Sequence, residues 1–155
     1  MKNQIIEAWL TNNRINLMLL DAIPDEGLEC TLSKRGGRTV KLQFSHLHNV
    51  RLYRLQNYAK NFLNGLTEID KDINFEREFL KSNLENSANA ISDWVSYSID
   101  NEECIKGFKK GAFNMIAYFI AHEAHHRGNI LLTLKQSGVK ISQEIKYGIW
   151  DWNKI

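Results

Sequence analysis

The sequence predicts an all-α fold, an antiparallel four-helix bundle, on three observations. One Pro and 9 Gly among 155 residues leave few helix breakers, and those present are grouped. Four segments carry apolar residues at steps of three and four, the period of an amphipathic helix. With 43% hydrophobic and 25% charged residues, the composition is that of an ordinary globular chain and excludes the disordered, collagen-like and repeat classes. The length fits one domain, 1–155, able to bury its own core.

The first helix runs from about Asn3 to Leu20, where Ile6, Trp9, Leu10, Asn13, Leu17 and Leu20 share a face. Pro24, Gly27 and Gly36-Gly37 bound a connection of roughly 18 residues, long for a bundle loop and so a candidate border of a site. Thr39 is the expected N-cap of a second helix, continued by Leu42, Leu47, Val50, Tyr53 and Leu55 to about Asn64-Gly65. Asn74 is the expected cap of the third, with Glu76 and Glu78 in its first turn and a stripe of Leu80, Leu84, Ala88, Ile91 and Val95. The fourth spans Ala112 to Gln136 and stops at Ser137-Gly138, where glycine takes the left-handed position beyond the helix. Tyr147, Trp150 and Trp152 follow, and their rings are expected to pack over one end of the bundle.

Charge narrows the partners. With 20 basic and 18 acidic residues the formal charge is +2. The clusters Lys34, Arg35, Arg38, Lys41 and Lys106, Lys109, Lys110 are flanked by acids and lack interleaved aromatics, so no nucleic-acid partner is expected. The longest apolar run, Phe113 to Ala121, is interrupted by Asn114 and falls short of the roughly 20 residues of a membrane span, so no membrane partner is expected either. The start, Met1-Lys2-Asn3-Gln4, carries no apolar signal core, which predicts a cytoplasmic location. Cys30 and Cys104 offer no disulfide framework and no Cys-rich zinc module, so a metal site must use His and carboxylates.

All five histidines fall in two places: His46 and His48 in the second helix, and His122, His125 and His126 in the fourth. Residues i and i+4 lie on one face, so His122 and His126 can offer two imidazole nitrogens to one ion at about 2.0–2.1 Å. Met115 and Phe119 precede them on that face, which turns it toward the interior. A third ligand from the second helix would leave the fourth corner of a tetrahedron open, as in catalytic zinc sites. His46 is preferred because it shares a face with Val50 and Tyr53, while His48 lies about 200° around the helix. His48 and His125 are expected to face solvent or to stand behind the ligands, and Asn129 to orient a ligand or to pack.

His122-Glu123-Ala124-His125-His126 also satisfies H-E-x-x-H, the metalloprotease pattern with Glu123 as general base. That reading ranks below the others, because the downstream H-x-x-G-x-x-H is absent and Glu144 lies beyond Gly138. No G-x-S-x-G elbow appears, and neither cysteine sits in a nucleophile context.

The segments Phe44-Ser45-His46-Leu47-His48-Asn49-Val50-Arg51 and His122-Glu123-Ala124-His125-His126-Arg127-Gly128-Asn129 resemble the motifs of the DinB family of YfiT-like metal proteins. Helix order and the Gly-Ile-Trp-Asp-Trp ending at Trp152 extend the resemblance over nearly the whole chain. It implies a four-helix bundle, usually a homodimer, with zinc or nickel held by three histidines, here His46, His122 and His126. Two histidines in the first motif leave His46 and His48 both open as the first ligand. Relatives implied by this likeness include thiol S-transferases using bacillithiol or mycothiol, a maleylpyruvate isomerase and metal-dependent hydrolases. The expectation is a metal-dependent enzyme that activates a thiol or water, with a low-molecular-weight thiol and a small electrophile as partners. The alternative is a non-catalytic, metal-binding stress-response protein. Histidine ligation further predicts weaker metal binding below about pH 6.5, where a free imidazole protonates.

Overall fold

Helices α1 (Lys2–Ala22), α3 (Val40–Tyr58), α4 (Arg77–Asp100) and α5 (Ala112–Gln136) form the body of the computed structural model, which describes residues 1–35 and 37–155. Short helices α2 (Asp25–Leu28) and α6 (Gln143–Gly148) and a 3-10 turn at Lys60–Phe62 complete it, and no strand occurs among the described residues. Gly36, half of the expected glycine pair in the first connection, lies outside them.

The four-helix bundle is the expected one, with the pair α3 and α4 parallel rather than antiparallel, and its helix directions follow from the residues that meet. Lys2 meets Asp100 and Arg77 reaches the carbonyl of Leu20, so α1 and α4 are antiparallel. Lys41 pairs with Asn74 and Arg51 with Ser87, so α3 and α4 run the same way. Arg51 meets Glu123 while Arg54 covers Tyr118, so α5 returns against α3. The order is therefore up, down, down, up, and residues 59–76 carry the chain back along the bundle between α3 and α4.

That return explains two differences from the sequence expectation. The second long helix stops at Tyr58, not near Gly65, because Ala59 leaves helical geometry (φ −150°, ψ 50°) and Asn64 and Gly65 adopt positive φ. Leu63 and Leu66 keep the apolar spacing but pack from the return segment. Glu76, not Asn74, is the N-cap of α4; Asn74 instead accepts from Lys41 Nζ at 3.4 Å. Thr39 is the predicted cap, its hydroxyl accepting from the Leu42 N–H at 3.2 Å. Gly138 takes the left-handed position after α5 with φ 80°. The terminal rings depart from expectation: Tyr147 and Trp150 are 74% and 76% exposed, and Ile141 and Ile149 anchor this segment. The buried side chains of this segment are aliphatic, whereas these rings stay at the surface.

The core is divided. One apolar cluster gathers Leu19, Leu20, Phe44, Leu47, Leu84 and Ile130 toward one end. A second gathers Trp9, Leu55, Ile91, Val95, Met115 and Phe119 toward the other. Between them lies a polar layer. Arg51 Nε donates to Glu123 Oε1 at 2.7 Å and Nη2 to Oε2 at 2.9 Å, with Arg51 and Glu123 both fully buried. The amides of Asn12 and Asn16 donate to Glu123 Oε2 at 2.6 and 2.7 Å. Arg51 Nη1 reaches the Leu84 carbonyl and Ser87, and Nη2 reaches Asn13 Oδ1. Arg127 closes the layer by donating to the Asn12 and Asn16 carbonyl oxygens at 2.8 and 2.7 Å. Trp9 lies against the Arg51 guanidinium, 4.7 Å from its ring centroid.

Removing one member of such a pair strands the other charge away from water. Arg51→Met or Glu123→Leu is expected to cost about 3–5 kcal/mol of unfolding free energy in urea titrations. The double variant is expected to lose less than the sum of the two. Additive losses would show that the pair is not coupled.

Candidate metal centre

The motif around His46 sends four neighbouring side chains to three destinations. Successive helical residues are rotated by about 100°, so His46 looks across the α3–α5 seam while His48 and Asn49 look toward the return segment. His48 is fully buried, its ring nitrogens 2.9 Å from the carbonyl oxygens of Asn83 and Thr67. Asn49 exchanges two hydrogen bonds with the Ile69 backbone, at 2.9 and 3.0 Å. Arg51 turns into the polar layer. His48 is therefore neither solvent-facing nor beside the other histidines: it ties α3 to α4 and to the return segment. The expectation for His48 fails because it weighed one helix alone, and the segment that buries this ring comes from elsewhere in the chain.

His46, His122 and His126 meet at the seam. Ring centroids lie 5.4 Å (His46–His122), 4.8 Å (His46–His126) and 4.6 Å (His122–His126) apart. One nitrogen from each falls within 4.8 Å of the others. A tetrahedral ion with bonds of about 2.0–2.1 Å sets its ligand nitrogens about 3.3 Å apart, so modest side-chain rotation brings the three to ligand spacing. Nδ1 of His122 and of His126 is buried without a hydrogen-bond partner. Buried polar atoms are ordinarily satisfied, and two orphaned ring nitrogens in one cluster fit a cation-binding role. Tyr118, one turn before His122, stacks on its ring at 5.9 Å and 18°.

The field of the site favours neutral imidazole. Burial, then Arg38 and His122, lowers the His46 pKa to about 4. Burial, then His122 and His46, lowers that of His126 to about 4. Burial also lowers His122, opposed by the Glu123 carboxylate. Neutral rings hold their lone pairs available for a cation at any pH above these values.

The remaining expectations resolve differently. His125 is exposed, as predicted, and Asn129 bonds to it at 3.1 Å rather than to a cluster histidine. Glu123 is not at the cluster: it is fully buried on the adjoining, inward side of α5, and its two oxygens accept four N–H donors from Arg51, Asn12 and Asn16. A carboxylate so engaged cannot serve as general base on water at the histidines, so the metalloprotease reading of H-E-x-x-H fails. The layer of Arg51, Glu123, Arg127 and three asparagines was missed from sequence. Its signal was present, because Phe119, Glu123, Arg127 and Ile130 continue one helical stripe with charges at interior positions.

An all-helical bundle carrying three histidines on one seam is the class that fold and site define. The chain belongs to the DinB family, whose model matches residues 1–145. Comparisons with curated proteins and with solved structures returned no match. No described helix is long and apolar enough to cross a membrane.

Because the folded pKa values of His46 and His126 lie below the usual 6.5, the unfolded chain binds more protons between about pH 4 and 6.5. The metal-free protein is therefore expected to hold the full contribution of these rings above pH 6.5 and lose it as pH falls toward 4. Urea titrations across that window check this, and His46→Gln with His126→Gln should flatten the slope. The same values place the expected loss of metal binding below pH 6.5 and toward the folded value near 4, to be measured by metal retention on equilibrium dialysis.

Proposed function

We propose that the protein is a divalent-metal-dependent enzyme of the thiol-transfer or hydrolase type, a single domain over 1–155 in which His46, His122 and His126 hold zinc or nickel. The observation that carries the reading is the pair of orphaned Nδ1 atoms within a three-histidine cluster. Such an ion, when bound through three nitrogens, acidifies a thiol or water brought to its open position. The chain's own part is to hold three neutral rings and to keep the seam closed with Arg51 and Glu123.

The non-catalytic alternative makes the ion a staple between α3 and α5. The structure weakens the need for one, because Arg51 and Glu123 already join those helices. Chelation of the loaded protein is therefore expected to lower the melting temperature by only the mass-action contribution of binding and to leave helical circular dichroism intact. Unfolding on chelation would favour the staple.

A homodimer belongs to the proposal, supported by apolar side chains left open to solvent, among them Leu132, Tyr147 and Trp150. The substrate pair proposed is a low-molecular-weight thiol and a small electrophile. Free Cys30 and Cys104 are compatible with the reducing cytoplasm that such thiols maintain.

Metal analysis of protein prepared without chelators is the direct test. One equivalent per chain is expected, falling to near zero in His46→Ala and His122→Ala. His48→Ala should lose about 2–4 kcal/mol of stability yet keep the metal. Stoichiometric metal in both cluster variants would overturn the ligand set, and absence of turnover with a panel of thiols and electrophiles would overturn the enzymatic reading.

A further inference from the structure

Two clefts open on the histidine cluster from different sides. The larger, about 610 Å³, is bordered by His46, Asn49, Arg38, Lys71 and the acids Glu68 and Asp70. The smaller, about 300 Å³, is bordered by His126, Arg38, Gln43, Thr133 and the Thr31–Ser33 segment. Arg38 is the one residue common to both, and each cleft also has a cluster histidine in its lining. It precedes α3 by two residues, so the Thr39 cap fixes the backbone that carries it.

The chemistry of the smaller cleft is one-sided. Arg38 is its only charged lining residue and no carboxylate lines it, whereas Glu68 and Asp70 border the larger cleft that Arg38 also lines. The Arg38 guanidinium is exposed and forms no ion pair or hydrogen bond among the described residues. Gln43 lies five residues further on, is 9% exposed, and its amide enters no side-chain hydrogen bond among the described residues. A solvent-accessible amide without a partner, lining the same cleft as a guanidinium that forms no ion pair among the described residues, offers N–H donors at two points. A guanidinium prefers planar anions that accept two parallel hydrogen bonds, and the amide supplies a further donor.

We infer that Arg38 and Gln43 form a carboxylate-binding subsite, so that the compound presented to the histidine cluster carries a carboxylate group. The inference deepens the proposed function and rests on it for the metal, whereas the anion subsite depends only on Arg38 and Gln43. The larger cleft, bordered by Arg38 and Lys71 as well as by Glu68 and Asp70, has no such excess of one sign and is left for the second reactant.

The test compares 3-mercaptopropionate with its neutral amide, 3-mercaptopropionamide, titrated into cobalt-loaded protein and followed by the thiolate-to-cobalt absorption band. The acid is expected to bind about tenfold more tightly than the amide. Arg38→Gln should abolish that preference and leave the amide unchanged within about twofold, Arg38→Lys should restore part of it, and Gln43→Leu should reduce it. Equal binding of the two thiols by the wild-type protein, or an unchanged preference in Arg38→Gln, would overturn the inference.

A second arm uses metal-free protein and glutarate, followed by the Arg38 Nε–H and Gln43 amide resonances in nitrogen-15 spectra. Saturable shifts that vanish in Arg38→Gln support the subsite, and their absence in the wild-type protein overturns it. If the cluster variants keep their metal while glutarate still moves these resonances, the proposed ligand set fails and the subsite stands. If cobalt loads and both thiols bind without charge preference, the subsite alone fails.

Discussion

The ion pair between Arg51 and Glu123 is the constraint on which the rest of the structure depends. A guanidinium and a carboxylate withdrawn from water are unfavourable unless nearly every donor and acceptor is used, and here they are. Glu123 receives four N–H donors, and Arg51 divides its own among Glu123, Asn13, Ser87 and a carbonyl of α4. All four long helices contribute: the asparagines from α1, Arg51 from α3, Ser87 and Leu84 from α4, and Glu123 from α5. Apolar cores tolerate sliding by a turn, because one leucine replaces another at little cost. A bidentate pair between two apolar clusters does not, since a displaced Arg51 would face Leu47 or Leu55 layers without acceptors. The pair therefore sets the register of the bundle.

That register places the histidines. His46 stands five residues before Arg51 on α3, and His122 and His126 flank Glu123 on α5. Once Arg51 and Glu123 meet, the antiparallel course of α3 and α5 brings His46 level with His126 and His122. Helical rotation keeps the rings at the edge of the seam, half-buried, while the charges point inward. One side of each helix thus does structural work and the adjoining side carries the cluster. His48 and Asn49 continue the division by fastening the return segment, which supplies the wall of the larger cleft through Glu68 to Lys71.

Much of this was legible in the sequence because it is local. The Thr39 cap, the stop at Gly138, the α4 stripe from Leu80 to Val95 and the i, i+4 relation of His122 and His126 follow from spacing alone. The errors lie where distant segments decide. Leu63 and Leu66 carry helical spacing, yet the chain must turn back after Tyr58 because α4 runs alongside α3. Asn12, Asn13 and Asn16 look like interruptions of an apolar face, and they are buried because Arg51, Glu123 and Arg127 arrive from two other helices. On α5, Phe119 can be followed by His122 at three residues or Glu123 at four. Both steps continue a helical face, and only the partner on α3 determines which of the two residues lies inside.

The separation of the ion pair from the histidine cluster bears on what the cluster is free to do. A metal that must hold a small fold together tends to be enclosed by four protein ligands, since every open position forfeits binding energy needed for folding. Here two apolar clusters and a satisfied polar layer close the bundle without any contribution from the three imidazoles. The rings are kept neutral by burial, two of their nitrogens have no partner, and clefts reach the cluster from two sides. A fold relieved of that structural duty can leave its site incomplete and open. Incompleteness at three histidines, beside an unpaired arginine, is the property that a site receiving a ligand requires and that a purely structural cation would leave unused.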